Sequence, residues 1–234
     1  LFFYAWHVMS RPLILRPHEA PVVSVDAHLP AVSSATLSES AIRARLASAP
    51  SWQPEFAGDG SRLAGRAPAA AAVLVPMVVR DDGLHLLLTR RTDHLRDHAG
   101  QISFPGGKSE PEDSGPVGTA LRETEEEIGL AREHIDVIGQ LPVYATVTAF
   151  QVTPVLALVR PPFGLKLDAF EVAEAFEVPL HFLMNPAHHR HHAVVLDGIE
   201  RRFISMPWQG PEREYFIWGA TAAMLRNLYR LLIA

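Results

Sequence analysis

The sequence of 234 residues contains no cysteine. This absence excludes disulfide bonds, a thiol nucleophile, cysteine-ligated zinc and cysteine-bound iron–sulfur clusters. Long apolar runs are missing as well, since the longest, residues 67–79, includes Pro68 and Pro76 and is shorter than the roughly 18 residues that a membrane span requires. The sequence therefore predicts a protein without disulfides and without a membrane partner.

A surplus of positive charge is also missing, because 21 Lys and Arg residues face 26 Asp and Glu residues and the formal net charge is −5. Nucleic-acid-binding proteins normally carry a basic surface, so a nucleic-acid partner is not expected. The sequence does contain enough apolar residues, 48%, to build a hydrophobic core without covalent cross-links. An anionic substrate would require a local cluster of basic residues.

The first 36 residues combine prolines, serines and short apolar stretches without a sustained period. This pattern is typical of an extension that is disordered or lies as a strap on the domain, which we place at residues 37–234. The opening segment Leu1–Trp6 is apolar, but no basic residue precedes it, so it does not resemble a secretory signal. We therefore expect a cytoplasmic protein.

Short strands and helices alternate irregularly along the rest of the chain. Residues 70–79 and 84–89 are apolar on either side of an Asp-Asp-Gly turn, which predicts a hairpin. Residues 117–128 have a helical period, with Pro116 in the first turn and Gly129 at the end. The lack of a regular strand–helix repeat favours an α+β fold with a mixed sheet. Further predicted elements are helices at 38–49, 181–184 and 220–233, and strands at 137–148, 152–159, 193–196, 202–204 and 214–218.

Four of the five residues from 123 to 127 in the predicted helix are glutamates. A rotation of about 100° per residue places Glu123, Glu126 and Glu127 together, opposite an apolar stripe that faces the core. Like charges at this spacing repel one another, so we expect a cation beside them. Carboxylates without His or Cys favour Mg²⁺ or Mn²⁺ over zinc, although a solvated acidic face paired with arginines is the alternative. The stripe consists of Val117, Leu121, Thr124 and Ile128.

A loop with two adjacent glycines, Phe104-Pro105-Gly106-Gly107-Lys108, precedes the acidic helix. Adjacent glycines allow a backbone to approach another group closely. Carboxylates for a divalent metal, cations for phosphate oxygens and a glycine loop together describe a site that hydrolyses a phosphate anhydride. The cations are Arg90, Arg91, Arg96 and Lys108, although singly the arginines could be surface charges paired with Asp93 and Asp97.

Residues 107–130 resemble the Nudix box, the metal-binding loop–helix–loop of Nudix hydrolases, through Gly107, Arg122-Glu123, Glu126-Glu127 and Gly129-Leu130. The segment before the box is similar to the additional signature of the coenzyme A pyrophosphatase subgroup. Segments 171–180, 185–190 and 217–222 also look like this subgroup, so the resemblance extends from about residue 70 to the C-terminus. The upstream signature comprises Leu87-Leu88-Thr89-Arg90-Arg91-Thr92, Arg96, Gly100 and Phe104-Pro105-Gly106-Gly107.

The resemblance implies a Nudix α/β/α sandwich with a mixed sheet, and attack of water on a diphosphate that links a nucleoside to another group. In the coenzyme A subgroup the products would be 3′,5′-ADP and 4′-phosphopantetheine. The resemblance also implies that Glu123, Glu126 and Glu127 hold Mg²⁺ or Mn²⁺, together with a backbone carbonyl of Gly106 or Gly107.

Further roles follow from the same resemblance. Arg122 would brace the glutamates by ion pairing, and a carboxylate would act as general base. The base would be one of the box glutamates, or Glu171 or Glu174 from the later segment. Contacts to the nucleotide substrate are implied for Arg90, Arg91, Arg96, Phe104 and Lys108.

Three positions depart from the family pattern. The spacing from Gly107 to Arg122 is one residue longer than in the general box, so the early acid falls on Asp113 or Glu112. Thr124 replaces an aliphatic residue of the box, and Thr92 replaces a small Ser or Ala of the upstream signature. None of these changes removes a metal carboxylate, so we expect an active enzyme.

Three other functions remain open at this point. The substrate could be another nucleoside diphosphate derivative, such as ADP-ribose or NADH. The chain could also be a binding module that no longer hydrolyses, or a zinc protein built on the cluster His188–His192, although imidazoles so close in sequence rarely converge without distant partners. The sequence is compatible with a monomer or a homodimer.

Overall fold

The structure is a computed structural model that describes residues 14, 16–48, 51–59, 67–95, 98–196 and 198–234. Residues 1–13 and 15 of the predicted extension lie outside the described residues. The described helices are α1 (Glu39–Ala47), α2 (Gly115–Ile128), α3 (Leu180–Leu183) and α4 (Gly219–Ile233). The described strands are β1 (Val22–Val25), β2 (Ala69–Arg80), β3 (Gly83–Arg91), β4 (Ile102–Ser103), β5 (Gly106–Lys108), β6 (Ile135–Gln140), β7 (Tyr144–Ala145), β8 (Phe150–Val159), β9 (Val172–Pro179), β10 (Arg190–Leu196), β11 (Ile199–Gln209) and β12 (Glu214–Trp218).

The central layer is a mixed sheet of eight strands. Its main order is β4-β3-β2-β8-β6, while β5 pairs with β2, β7 with β8 and β9 with β3. β2 and β8 run parallel over ten residue pairs, from Ala69↔Phe150 to Val78↔Val159, whereas β2 pairs with β3 and β5 in antiparallel fashion. β2 is almost entirely apolar because it is covered on both faces, as the sequence predicted for a buried hairpin strand.

Helix α2 covers one face of this sheet. Ala120 packs with Ala72 and Leu74 of β2 and with Val155 and Ala157 of β8. The helix begins after Ser114, has Pro116 in its first turn and ends at Gly129, whose φ of 65° is left-handed. This end agrees with the sequence prediction, because glycine adopts a positive φ without steric cost.

The other face carries the main hydrophobic core, α4 and a second sheet. This second sheet is antiparallel, with the order β1-β10-β11-β12. Nearly every residue of α4 is buried, among them Leu225, Leu228 and Tyr229. The predicted α+β fold with a mixed sheet is therefore confirmed, whereas the sequence did not predict the separate second sheet.

The described part of the N-terminal extension joins the domain directly. Strand β1 pairs with β10, and Asp26 just after it is buried. Residues 22–25 form the edge of the second sheet. Among the described helices, none combines the length and the apolarity that crossing a membrane would demand.

Candidate active site

The glycine loop lies directly on the acidic side of α2. A Cβ atom at Gly107 would be only 2.5 Å from the carboxylate carbon of Glu123, and one at Gly106 would clash with Val73 of β2. The Gly106 N–H donates a hydrogen bond of 3.1 Å to Oε2 of Glu127. The two glycines are therefore required because the β5 backbone touches both the sheet and the helix carboxylates.

Arg122 joins the carboxylates of this site into one network. Its Nη1 donates to Oε1 of Glu123 at 2.9 Å and to Oε2 of Glu126 at 3.0 Å. Its Nε and Nη2 donate to the two carboxylate oxygens of Asp113, each at 2.9 Å, and Nη2 also reaches the Lys108 carbonyl at 3.1 Å. A guanidinium with this many acceptors is fixed in orientation and holds the glutamates in place.

Asp113, the early acid left open by the spacing, accepts further hydrogen bonds. Thr119 Oγ1 donates to it at 2.8 Å and the Glu110 N–H at 2.9 Å. The hydrogen bonds from Arg122 and these donors hold the pKa of Asp113 well below its usual range. Glu112 is exposed, so the side chain that contacts Arg122 from this segment is Asp113.

Glu127 is buried, at 7% exposure. Burial, with smaller contributions from the charges of Glu171 and Glu123, raises its pKa to about 7 against the opposing effect of the Gly106 N–H and Arg91. Arg91 lies between two acids, with Nη1 3.8 Å from Glu127 Oε1 and Nη2 3.8 Å from Glu171 Oε2. Glu171 is therefore close enough to this cluster to affect its titration.

The pKa of Glu123 is raised too, first by burial and then by the charges of Glu126 and Glu171. The two glutamates whose charged forms are destabilised, Glu123 and Glu127, would be stabilised by a cation, and hard oxygen donors suit a divalent one. Among the described residues, no three His, Asp or Glu side chains lie so close together that they could hold a metal ion in their present positions. The carboxylate oxygens of this site are chemically suited to a divalent ion. In the structure, the positive charge beside them comes from Arg91 and Arg122.

Two of the predicted site residues, Arg90 and Glu174, belong to a neighbouring cluster. They face each other across β3 and β9, with Arg90 Nε 3.6 Å from Glu174 Oε2, and Arg90 also pairs with Asp93 at 3.0 Å. The Tyr215 hydroxyl donates to Glu174, and burial together with that carboxylate raises the pKa of Tyr215 to about 12. The structure thus brings Glu171 rather than Glu174 beside the box glutamates.

The remaining predicted residues are spread more widely. The side chain of Lys108 is exposed, whereas Phe104 is buried and lines a cavity of about 380 Å³. Arg96 lies outside the described residues. Gly106 and Arg91 line the same cavity, so it opens onto the glycine loop.

The far walls of this cavity are residues that the sequence interpretation missed. They include Tyr144, Phe203 and Arg201. These residues come from β7 and β11, which no local motif links to the glycine loop. The only available signal was the density of aromatic residues between 203 and 218.

The histidine cluster does not converge on a common point. His189 Nε2–H donates to the Leu183 carbonyl at 2.7 Å, and its Nδ1 accepts from Arg226 at 2.9 Å. His191 and His192 lie on β10 and contact separate partners, Asp26 for His191 and the Ala20 carbonyl with Ser205 for His192. His188 stacks on Phe182. Each ring has its own local partner, which fits the structural interpretation of this segment.

Several known proteins are similar to this chain in sequence. The sequence model of the NUDIX domain matches residues 68–197. A protein of Yersinia enterocolitica named "uncharacterized Nudix hydrolase NudL" is 42% identical over 158 residues, which cover 68% of this chain and 78% of that protein. The NudL protein of Yersinia pestis is 40% identical over 158 residues, covering 68% and 77%.

Among solved structures, the crystal structure of a Nudix hydrolase from M. smegmatis, RenU, is similar with a TM-score of 0.43 and 22% identity, over 49% of this chain and 73% of that one. The domain match covers more than half of the chain, and the NudL proteins are matched over most of their length. The chain therefore belongs to the Nudix hydrolase family, hydrolases that act on acid anhydrides in phosphorus-containing compounds.

Proposed function

We propose that this Nudix hydrolase cleaves the diphosphate of coenzyme A or its acyl derivatives, giving 3′,5′-ADP and 4′-phosphopantetheine or its acyl form. One observation carries the proposal. The upstream segment that resembles the coenzyme A subgroup is in direct contact with the Nudix box, since Arg91 is 3.8 Å from Glu127 and Gly106 donates to the same carboxylate. A specificity signature and a hydrolytic motif therefore share one site.

Nudix hydrolases generally use divalent metal ions, and we propose Mg²⁺ or Mn²⁺ here. Glu123, Glu126 and Glu127 would hold the metal, together with a carbonyl of Gly106 or Gly107. When bound, such an ion neutralises diphosphate oxygens and lowers the pKa of a coordinated water.

The residues of the chain supply the positioning around this centre. Arg122 holds Glu123 and Glu126 at 2.9 and 3.0 Å, so the pair is oriented before substrate arrives. Arg91 presents its guanidinium at the mouth of the cavity and is available to a phosphate oxygen, because its distances of 3.8 Å to Glu127 and Glu171 are long for hydrogen bonds.

We propose Glu171 as the general base that accepts the proton of the attacking water. Its charge contributes to the raised pKa of both Glu123 and Glu127, so it lies beside the group that would bind the water. Glu174, the other candidate, already accepts from Tyr215 and is paired with Arg90, which leaves it less available for a proton.

The test is incubation of the purified protein with coenzyme A, ADP-ribose and NADH, in Mg²⁺ or Mn²⁺, followed by chromatography of the products. We expect 4′-phosphopantetheine and 3′,5′-ADP from coenzyme A at a higher rate than cleavage of the other two. Faster hydrolysis of ADP-ribose or NADH would instead identify a different nucleoside diphosphate as the substrate.

The variant Glu127→Gln should lose at least about a hundredfold in turnover, since it removes one charge of the metal-binding set. The matched control is Glu125→Gln, because Glu125 lies in the same helix but is exposed and pairs with Arg132 at 3.1 Å. The control should retain near-normal turnover. Full turnover by Glu127→Gln would show that this carboxylate does not hold the metal.

A further inference from the structure

We infer that the cavity beside the glycine loop binds the nucleotide half of coenzyme A, and that Arg201 contacts its 3′-phosphate. This inference rests on the proposed function and adds the residues that would distinguish coenzyme A from diphosphates that lack a 3′-phosphate. The argument uses the position of the cavity, the chemistry of its walls and the surroundings of Arg201.

The cavity is continuous with the hydrolytic site. Gly106 and Arg91, which touch the box glutamates, form part of its lining, and so does Phe104 from the same loop. A diphosphate bound at this loop must place one of its two organic groups in the neighbouring space. The volume of about 380 Å³ lies within the range of small-molecule sites in proteins.

Five aromatic side chains are among the described residues that line the cavity. Phe104 and Tyr144 are buried, and Phe203 and Trp218 form an edge-to-face pair with centroids 5.3 Å apart. Flat heterocyclic bases bind such surfaces by stacking, which contributes roughly 1–3 kcal/mol per base. The adenine ring of coenzyme A is the one aromatic group of that substrate, so these walls favour the nucleotide half.

Arg201 supplies a cation in the same cavity. It is half-buried on β11, and its Nε is buried without a hydrogen-bond partner in the described parts of the chain. A buried guanidinium nitrogen without an acceptor is costly, because its hydration is lost and not replaced. An anionic oxygen of a ligand would supply that acceptor.

Its neighbour Arg202 has a different environment. The Arg202 side chain is 73% exposed and its Nε donates to Glu200 at 2.7 Å. In contrast, Arg201 is in none of the ion pairs formed by the described residues. Arg202 also lines the cavity, so the two adjacent arginines differ in their pairing: Arg202 is held by Glu200, whereas Arg201 is available to a ligand.

The two halves of coenzyme A differ in exactly these chemical properties. The nucleotide half carries both a flat base and an additional phosphate, whereas the pantetheine half carries neither an aromatic ring nor a charge. A cavity that combines aromatic walls with an unpaired cation is complementary to the first half. The pantetheine arm would then leave the glycine loop in another direction.

Isothermal titration of the full chain with 3′,5′-ADP and with 5′-AMP tests this inference, since the two nucleotides differ only in the 3′-phosphate. The unmodified protein should bind 3′,5′-ADP more tightly by roughly tenfold to a hundredfold, the range of a charge-assisted hydrogen bond. Arg201→Gln should abolish that preference and Arg201→Lys should retain part of it. The control Arg132→Gln, at an exposed arginine that pairs with Glu125 and does not line the cavity, should leave the preference unchanged.

Hydrolysis provides an independent readout, since kcat/KM for coenzyme A relative to dephospho-coenzyme A should fall by the same factor in Arg201→Gln. Equal binding of 3′,5′-ADP and 5′-AMP by the unmodified protein would overturn the inference, as would a preference that survives in Arg201→Gln. Competition of 4′-phosphopantetheine for the cavity would also overturn it. Because titration needs no turnover, failure to hydrolyse coenzyme A would contradict the proposed function alone.

Discussion

At the scale of single residues, the site depends on side chains that touch no substrate. Asp113 contacts Arg122 through both carboxylate oxygens, and Arg122 in turn holds Glu123 and Glu126. Partners that orient the ligands of a metal commonly matter almost as much as the ligands themselves. Asp113 therefore acts on the site through the position of one arginine.

We predict that Asp113→Asn lowers turnover by about tenfold to a hundredfold, because one acceptor of the Arg122 fork is lost and the glutamates lose their fixed orientation. Steady-state hydrolysis of coenzyme A and the Mn²⁺ concentration for half-maximal rate are the measurements. Glu112→Gln is the control and should remain near the unmodified rate. If the two substitutions have equal effects, Asp113 does not occupy the early acid position of the box.

The sequence alone could not decide between two candidates for the general base. Glu171 and Glu174 lie three residues apart, and both fit the resemblance. Only the pairing of Arg90 with Glu174 across β3 and β9, and the contact from Tyr215, distinguishes them. Such pairings depend on strand register between distant segments, which a local motif does not encode.

At the scale of elements, the predictions from sequence were most successful where one segment carries its own signals. Helix α2 has a proline in its first turn, an apolar stripe and a terminal glycine, and its predicted end at Ile128 is confirmed. The sequence predicted strands within β10, β11 and β12, but it did not indicate that they form a separate sheet with β1, which lies far away in a segment without periodicity. The existence of this sheet depends on non-local pairing.

The contact between β5 and α2 gives a prediction at this scale. Gly107→Ala would place a methyl group about 2.5 Å from the Glu123 carboxylate, which must then move. We expect at least a tenfold loss of coenzyme A hydrolysis, with a higher metal requirement and a protein that remains folded by circular dichroism.

Gly164→Ala provides the comparison, because a Cβ at Gly164 meets no atom within 4 Å. This variant should hydrolyse coenzyme A at the unmodified rate. Normal kinetics for Gly107→Ala would mean that the loop and the carboxylate can separate without consequence.

At the scale of the whole molecule, a buried network ties both ends of the described chain to the core. Arg226 of α4 is 3% exposed and lies 3.0 Å from Asp26 and 2.8 Å from Glu55. The same guanidinium donates to His189, whose other nitrogen donates to the Leu183 carbonyl. This arrangement requires a neutral imidazole, and burial lowers the pKa of His189 to about 4.

We predict a pH-dependent stability from this histidine. Its folded pKa of about 4 lies below the ordinary value of 6.5, so the unfolded chain takes up the proton first as the pH falls. The contribution of His189 is fully present above about pH 6.5 and is lost progressively towards pH 4, up to about 3 kcal/mol. Urea unfolding between pH 7 and pH 4 measures it.

His189→Gln should flatten this dependence, while His28→Gln, which alters an exposed histidine, should leave it intact. Unfolding free energies that decline in parallel for all three proteins would assign the pH dependence to other groups. The quantity to compare is the slope of the unfolding free energy against pH, because His189→Gln also changes the stability at pH 7.

The position of β10 has a consequence for the use of this protein in engineering. The part that matches the NUDIX domain, residues 68–197, contains β10 but neither of the strands on its two sides, β1 and β11. A fragment cut at those limits would expose both edges of a strand, a template for association with other chains. The smallest unit that can be transplanted or displayed intact therefore includes β1 and extends through α4.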